Sequence, residues 1–254
     1  MQMNILTKMQ KNREVDLKRA LTPQTENAFD AVSELDCING LYLCGGTAQA
    51  LQMYHRKSED LDFELIGISK NRPRLDVNSI IGEVMSKFSG SRKEILSDAH
   101  FQIYLPTGVK LSFFRPEFAV PHLSVGLVYN NIVTPNLQDL LGMKLYTITV
   151  RNAFRDYYDI YCLLRKGFSL KEGIRYAGAF SRHSVHTKDI LSMLTTSSFY
   201  PSKTEITRLD PVYRESAEEM SEFIKDVINA EYYENKEKQE IEIISEQKSG
   251  IKIR

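Results

Sequence analysis

Two aspartates separated by one residue form the strongest chemical signal in the sequence. Asp60 and Asp62 stand in the string Asp-Leu-Asp-Phe, which begins thirteen residues after Thr47 in a Gly-Gly-Thr turn. Side chains two apart on a strand share one face, so these carboxylates repel each other unless a cation lies between them. Carboxylate oxygens are hard ligands that suit Mg²⁺ or Mn²⁺ together with substrate phosphates. The spacing therefore predicts a metal–nucleotide site with Asp60 and Asp62 as metal ligands.

A glycine turn precedes the aspartates. Gly45 and Gly46 follow a short apolar run and lead into a helical pattern that starts at Thr47. Backbone N–H groups at the start of a helix bind anions, and a threonine hydroxyl adds a donor. We therefore predict that Gly45, Gly46 and Thr47 bind a triphosphate, a tight turn with surface aspartates being the plainer alternative. Arg56 and Ser58 are expected to contact phosphate, to steady the aspartate strand, or to lie on the surface.

A second cluster of charges falls in the helical pattern that follows residue 135. Lys144 and Arg151 are seven residues apart, so they share roughly one helical face and are predicted to contact a bound nucleotide. The alternative is a salt-bridge network within the helices, because Arg155 and Asp159 are spaced i,i+4 and Asp156 is adjacent. The sequence leaves both interpretations open.

Residues 138–189 carry nine Lys and Arg against five Asp and Glu, with tyrosines interleaved. Basic residues mixed with aromatic ones are typical of an RNA-binding face. A pair of helices with the tyrosines packed inward has the same pattern. The tyrosines considered for this face are Tyr146, Tyr157, Tyr158 and Tyr161.

The elements around these residues predict an α/β region followed by a helical one. The expected order is a helix after Thr22, a strand before the glycines, a helix after them, and then the aspartate strand. A helix and a hairpin follow. We predict a mixed α/β (α+β) domain over 1–135, a helical domain over 136–230 and a charged C-terminal extension over 231–254, with a strand at 241–244 as an option.

Composition excludes several classes of protein. The 254 residues include 33 Lys and Arg against 33 Asp and Glu and are 42% hydrophobic, which excludes disorder as the main state. Apolar runs stop far short of the roughly 20 residues of a membrane span, so no membrane association is expected. The charged N-terminus lacks a signal-peptide core, and three cysteines form no paired motif. These features predict a cytoplasmic protein with reduced thiols.

The motifs resemble those of a known family. The string Gly-Gly-Thr-Ala at 45–48, continued by 55–62, resembles the first motif of the DNA polymerase β-type nucleotidyltransferase superfamily. More narrowly, it is similar to the AbiEii/AbiGii abortive-infection toxin family. Residues 142–144 and 151–164 resemble that family's later helical motif, so the resemblance covers roughly residues 40 to 195.

The resemblance implies a nucleotidyltransferase fold and a metal-dependent enzyme that uses Mg²⁺ (or Mn²⁺) and an NTP. It would transfer NMP to an acceptor hydroxyl, in some relatives a tRNA 3′ end, as the toxin of a type IV toxin–antitoxin pair with a cognate antitoxin. Asp60 and Asp62 match the family's metal-binding pair, and the glycines match its phosphate turn. Lys144 matches the family lysine, and Asp156 or Asp159 matches the downstream acid, which gives these three residues an expected catalytic role.

One departure from the pattern concerns the third carboxylate that the superfamily supplies from a later strand. Ser112 stands at that place in the string Lys-Leu-Ser-Phe-Phe, and a serine is a poor metal ligand and no base near neutral pH. The general base is then Asp156, Asp159 or solvent. Two other functions stay open, namely a non-catalytic nucleotide- or partner-binding module and a transferase that acts on protein hydroxyls.

Overall fold

The computed structural model describes residues 15–65, 75–115, 123–181, 184–196 and 204–234. The strands are β1 Tyr42–Cys44, β2 Leu61–Glu64, β3 Arg92–Ser97, β4 His100–Tyr104, β5 Lys110–Phe114, β6 Val125–Tyr129 and β7 Ile132–Pro135. The helices are α1 Leu17–Ala20, α2 Pro23–Ser33, α3 Gly45–Met53, α4 Val77–Lys87, α5 Leu137–Val150, α6 Phe154–Arg165, α7 Leu170–Phe180, α8 Thr187–Thr195, α9 Thr204–Thr207 and α10 Ala217–Ile228, followed by a π-helical turn over Asn229–Glu234.

A five-stranded mixed sheet in the order β1-β2-β5-β4-β3 carries the site. Strands β2 and β5 run parallel, with Asp62 opposite Ser112, while the other neighbours in the sheet are antiparallel. One face of β2 and β5 is apolar and packs on α2 and α4 in the first hydrophobic core. The opposite face carries Asp60, Asp62 and Glu64 at alternate positions. The predicted mixed α/β class is confirmed.

Most predicted elements of the first region are present. The helix after Thr22 has proline at its first position, and the hairpin around residues 106–108 joins β4 to β5. The helix after the glycines begins at Gly45, two residues earlier than expected. Three strands were not predicted. Strand β3 is exposed along its whole length, and β6 and β7 pair around Asn130, which has a φ of +50°.

Helices α5 to α10 form a second hydrophobic core, which also includes Met53 from α3. Three of the four tyrosines considered for an RNA-binding face are buried here, at no more than 1% exposure. Burial at these positions favours inward packing over an aromatic RNA-binding face. The three are Tyr157, Tyr158 and Tyr161, whereas Tyr146 is half-buried.

The start of the predicted C-terminal extension is ordered against the helical region. Glu231 accepts hydrogen bonds from the backbone N–H groups of Leu170 and Lys171, so it caps the N-terminus of α7. The rest of the extension, with the optional strand at 241–244, lies outside the described residues. Within the described part of the chain, no helix is long and apolar enough to cross a membrane.

Candidate active site

A cleft of about 540 Å³ lies between the polar face of the sheet and helices α5 and α6. One wall carries the β2 carboxylates, and the glycine turn forms one end. The opposite wall carries Lys144, Arg151 and Arg155. The cleft therefore joins the two charged clusters that the sequence separates by about eighty residues.

Both glycines of the turn are explained by close packing. Gly45 has a φ of +67°, a conformation that favours glycine, and a Cβ there would lie 3.1 Å from Oδ2 of Asp62. A Cβ on Gly46 would lie only 2.2 Å from a terminal nitrogen of Arg56. Cys44, the N-cap of α3, makes no side-chain capping bond, so the first helical N–H groups at the cleft lack a side-chain cap. The turn thus retains the geometry of an anion site.

Thr47 and Ser58 hold the aspartate segment in place. The Thr47 hydroxyl lies 2.7 Å from Oγ of Ser58 and contacts the backbone carbonyl of Asp60. Both side chains are buried, at 2% and 6% exposure. Of the roles expected for Ser58, the structure favours steadying the strand. Thr47 likewise fixes the backbone of Asp60.

Lys110 faces the first aspartate from the neighbouring strand. Its Nζ lies 2.9 Å from Oδ2 of Asp60, and the two side chains are 27% and 26% exposed. Ser112, two residues further along β5, is opposite Asp62 and lines the cleft. Ser112 therefore lies beside the aspartate pair. This is the place at which the superfamily pattern has a third carboxylate and this sequence has a serine.

Glu64 is the third carboxyl group on this face of β2. It lines the cleft with only 5% exposure, and among the described residues no Lys, Arg or His lies within ion-pair distance of it. The pKa of Glu64 is raised from 4.5 to about 7, mainly because the carboxyl group is buried; a hydrogen bond with the Cys44 thiol lowers this pKa, and the negative charge of Asp62 raises it.

Asp159 lies at the centre of a buried ion cluster behind the cationic wall. Arg56 donates two hydrogen bonds to its carboxylate, at 2.7 and 2.9 Å. Nζ of Lys144 lies 2.8 Å away, and Nε2 of His55 lies 2.8 Å from Oδ1. Burial alone would raise the pKa of Asp159, but Arg56 and Lys144 hold it well below its ordinary value.

Asp156 joins the same cluster from one turn earlier on α6. Lys144 donates to it at 2.7 Å, and Arg151 donates through Nε and a terminal nitrogen at 2.8 and 3.0 Å. Against the opposing effect of burial, these cations lower its pKa. Both carboxylates are fully buried and lie outside the set of residues that line the cleft, whereas Lys144 and Arg151 line it.

The salt-bridge network considered from the sequence exists, but its partners differ from those expected. Asp159 pairs with Arg56 and Lys144 instead of its i,i+4 neighbour Arg155. Arg155 lines the cleft. Lys144 and Arg151 therefore belong to the ion network and at the same time line the cleft.

Sequence reasoning missed three residues of this site. His55 stands next to Arg56 but gave no periodic signal, and only the tertiary contact with Asp159 reveals it. Glu64 continues the alternation of Asp60 and Asp62, so strand period alone would have found it. Lys110 lies two residues before Ser112, and the same period places it on the cleft face.

The donor set fits a divalent cation that arrives with a nucleotide. Within the described residues, no group of three or more His, Cys, Asp or Glu side chains is arranged to hold a metal ion. Mg²⁺ usually takes one or two protein carboxylates and completes its shell with water and substrate phosphates. Asp60 and Asp62 would be those two carboxylates, and they lie beside a glycine turn suited to phosphate.

This combination of strand, glycine turn, helix and paired aspartates, faced by a lysine and arginine wall, defines the nucleotidyltransferase class. A family model described as "Nucleotidyl transferase AbiEii toxin, Type IV TA system" matches residues 29–245. The chain therefore belongs to the AbiEii nucleotidyltransferase toxin family, and the resemblance stated from the motifs is confirmed.

Two other proteins are similar to the chain. The uncharacterized protein aq_aa25 of Aquifex aeolicus (strain VF5) is 32% identical over 158 residues, which are 61% of this chain and 72% of that protein. The crystal structure of JHP933 from Helicobacter pylori aligns with a TM-score of 0.47 and 17% identity, covering 90% of this chain and 100% of that one.

Proposed function

We propose that this protein transfers NMP from an NTP to an acceptor hydroxyl, with Mg²⁺ or Mn²⁺ held by Asp60 and Asp62. The observation that carries the proposal is the cleft itself, in which two carboxylates beside a helix N-terminus face Lys144, Arg151 and Arg155. A cationic wall opposite a carboxylate pair matches the charge of a metal–triphosphate substrate.

In the proposed reaction, an acceptor hydroxyl oxygen bonds to the α-phosphorus while the bond to the bridging oxygen of the β-phosphate breaks. Pyrophosphate leaves, and the NMP stays on the acceptor. A bound divalent cation would neutralise charge on the phosphates. Lys144 and Arg151 stabilise the negative charge that grows on the leaving group, because they line the cleft in fixed positions.

Asp156 and Asp159 serve in this proposal as positioning residues. Their carboxylates accept hydrogen bonds from the cationic wall, and their pKa values are lowered, which makes them weak bases. Of the proton acceptors that the sequence allows, solvent then fits best. Arg56, held by Asp159 and packed on Gly46, links the glycine turn to the cationic wall.

For the acceptor we propose the 3′ end of tRNA, and for the partner a cognate antitoxin that the toxin–antitoxin family suggests. The basic residues that line the cleft are suited to a polyanionic acceptor. The described cysteines are free thiols, which fits the cytoplasm as the proposed location.

The test is transfer from each of four α-³²P-labelled NTPs, with Mg²⁺ or Mn²⁺, into total tRNA and total protein. We expect label in tRNA that is lost in Asp60→Asn and Asp62→Asn variants, by about a hundredfold or more. Glu94→Gln is a matched control, since Glu94 is an exposed carboxylate on the sheet outside the cleft. Full transfer by both aspartate variants, with the fold intact, would overturn the metal assignment.

A second candidate is a binding module that has lost its chemistry. Ser112 beside Asp62 favours it, because the third carboxylate is absent there. If the protein is such a binding module, calorimetry should show metal-dependent NTP binding, while no acceptor becomes labelled. A Ser112→Asp variant that gains transfer would identify the lost group. Label found only in protein would instead move the function to protein nucleotidylation.

A further inference from the structure

Glu64 is a nearly buried carboxyl group, and no described Lys, Arg or His forms an ion pair with it. Its side chain is 5% exposed, it lines the cleft, and among the described residues its hydrogen-bonding neighbour is the weakly donating Cys44 thiol. Asp159, which is fully buried, is by contrast contacted by His55, Arg56 and Lys144. A buried carboxyl with so little compensation is costly unless a ligand brings donors to it.

The wall beside Glu64 is apolar and aromatic. Tyr42, Cys44 and Phe180 form a hydrophobic cluster that Met143 and Tyr146 join from α5. Four of these side chains line the same cleft as Glu64: Cys44, Met143, Tyr146 and Phe180. Small-molecule sites are mostly apolar, with a few polar groups that fix the orientation of the ligand. This wall and Glu64 therefore suit a flat, apolar ring that carries hydrogen-bond donors on its edge.

The position of Glu64 along β2 suits one part of a nucleotide. Asp60, Asp62 and Glu64 follow each other on one face at intervals of about 7 Å. In the proposed function the first two hold the phosphate end. The third then lies one step further from the phosphates, next to the aromatic wall, where the base of the same nucleotide would reach.

From these contacts we infer that Glu64 binds the hydrogen-bonding edge of the nucleobase and selects a base with an exocyclic amino group over uracil. This inference rests on the proposed function, because it concerns the NTP of the same site. An ionised carboxylate only accepts hydrogen bonds, and the amino group of cytosine donates them. Uracil presents carbonyl oxygens on either side of its one N–H. One of these oxygens would face the carboxylate of Glu64, so that two hydrogen-bond acceptors would oppose each other.

The test compares CTP with UTP, which differ at the relevant edge and have nearly the same size. Calorimetry with the full chain, non-hydrolysable analogues and Mg²⁺ at about pH 8 should show CTP bound at least about fivefold more tightly than UTP. In Glu64→Gln the amide donates as well as accepts, so the CTP-to-UTP ratio should fall to about one or invert. Glu94→Gln removes an exposed carboxylate of the same sheet and should keep the wild-type ratio.

A second variant tests the aromatic wall. Tyr146→Leu should weaken CTP and UTP alike by at least about fivefold, because stacking does not depend on the identity of the base. A wild-type protein that binds CTP and UTP equally, or a Glu64→Gln variant that keeps the wild-type ratio, would overturn the role of Glu64 and leave the proposed function standing. Failure of the wild-type protein to bind either nucleotide would instead overturn the proposed function.

Discussion

Two groups of carboxylates on opposite sides of one cleft have contrasting electrostatics. On the helical side, Asp156 and Asp159 are fully buried and accept from Arg56, Lys144 and Arg151. The sheet side carries the carboxyl groups of Asp60, Asp62 and Glu64. Among the described residues, one cation pairs with this group, namely Lys110, which contacts Asp60.

The difference teaches that residue type alone does not assign a role. The helical carboxylates are already satisfied, and their effect is to hold cations at the cleft. The sheet carboxylates are left short of positive charge, which is the condition for binding a cation or a ligand with donors. We therefore assign a structural role to the carboxylates of the helical side and ligand binding to the carboxylates of the sheet side.

The largest effect is expected from a substitution that breaks the buried ion cluster around Asp159. Asp159→Asn removes the charge that balances Arg56 and Lys144, and breaking a buried pair costs about 3 to 5 kcal/mol of unfolding free energy. Urea unfolding followed by circular dichroism measures this loss. Asp62→Asn is the matched variant on the sheet side and should change the free energy of unfolding by less than about 0.5 kcal/mol. Similar losses in the two variants would refute the contrast.

The next effect concerns the pH dependence of stability. Glu64 has a folded pKa of about 7 against an ordinary value of 4.5, so the folded state binds the proton more tightly. Its contribution is present below about pH 4.5 and is lost as pH rises to about 7, a decrease of up to about 3 kcal/mol. Asp156 and Asp159 have lowered pKa values, so their contribution is lost only as pH falls below their ordinary range.

Glu64→Gln should therefore flatten the fall in unfolding free energy between about pH 5 and pH 7. Urea titrations at several pH values in this window measure it, with Glu94→Gln as the exposed control. An unchanged slope in Glu64→Gln would show that Glu64 does not titrate in this range and that its burial is relieved in solution.

The smallest effect concerns Lys110. Its pair with Asp60 is about a quarter exposed, so Lys110→Met should cost less than about 1 kcal/mol of stability. Removing this cation leaves Asp60 free to bind a metal, and Mn²⁺ affinity measured by electron paramagnetic resonance should rise. Lys93→Met, on the exposed edge strand, serves as the control. A fall in Mn²⁺ affinity in Lys110→Met would contradict this account of the sheet side.

Local patterns were enough to predict the aspartate pair and the glycine turn on the sheet side, whereas Glu64 and Lys110 were missed although the strand period places them on the same face. The period of a strand places Asp60, Asp62 and Glu64 on one face, and the glycines mark the turn before α3 because Gly45 needs a positive φ. The resemblance of the motifs identified the family. Strand β3 escaped prediction because an edge strand exposed on both faces has no apolar alternation to reveal it.

The helical side was decided by tertiary structure. His55 and Asp159 are 104 positions apart in the chain, and Arg56 reaches the same carboxylate across a similar separation. Periodicity within α6 suggests a bond between Arg155 and Asp159, but packing of α3 against α6 brings Arg56 closer. The charge state of a carboxylate depends on burial and on every cation within a few ångströms. The sequence by itself therefore indicated the paired aspartates, the glycine turn and the cations of the candidate site, and only the folded chain decided which charged groups are neutralised and which stay available to a ligand.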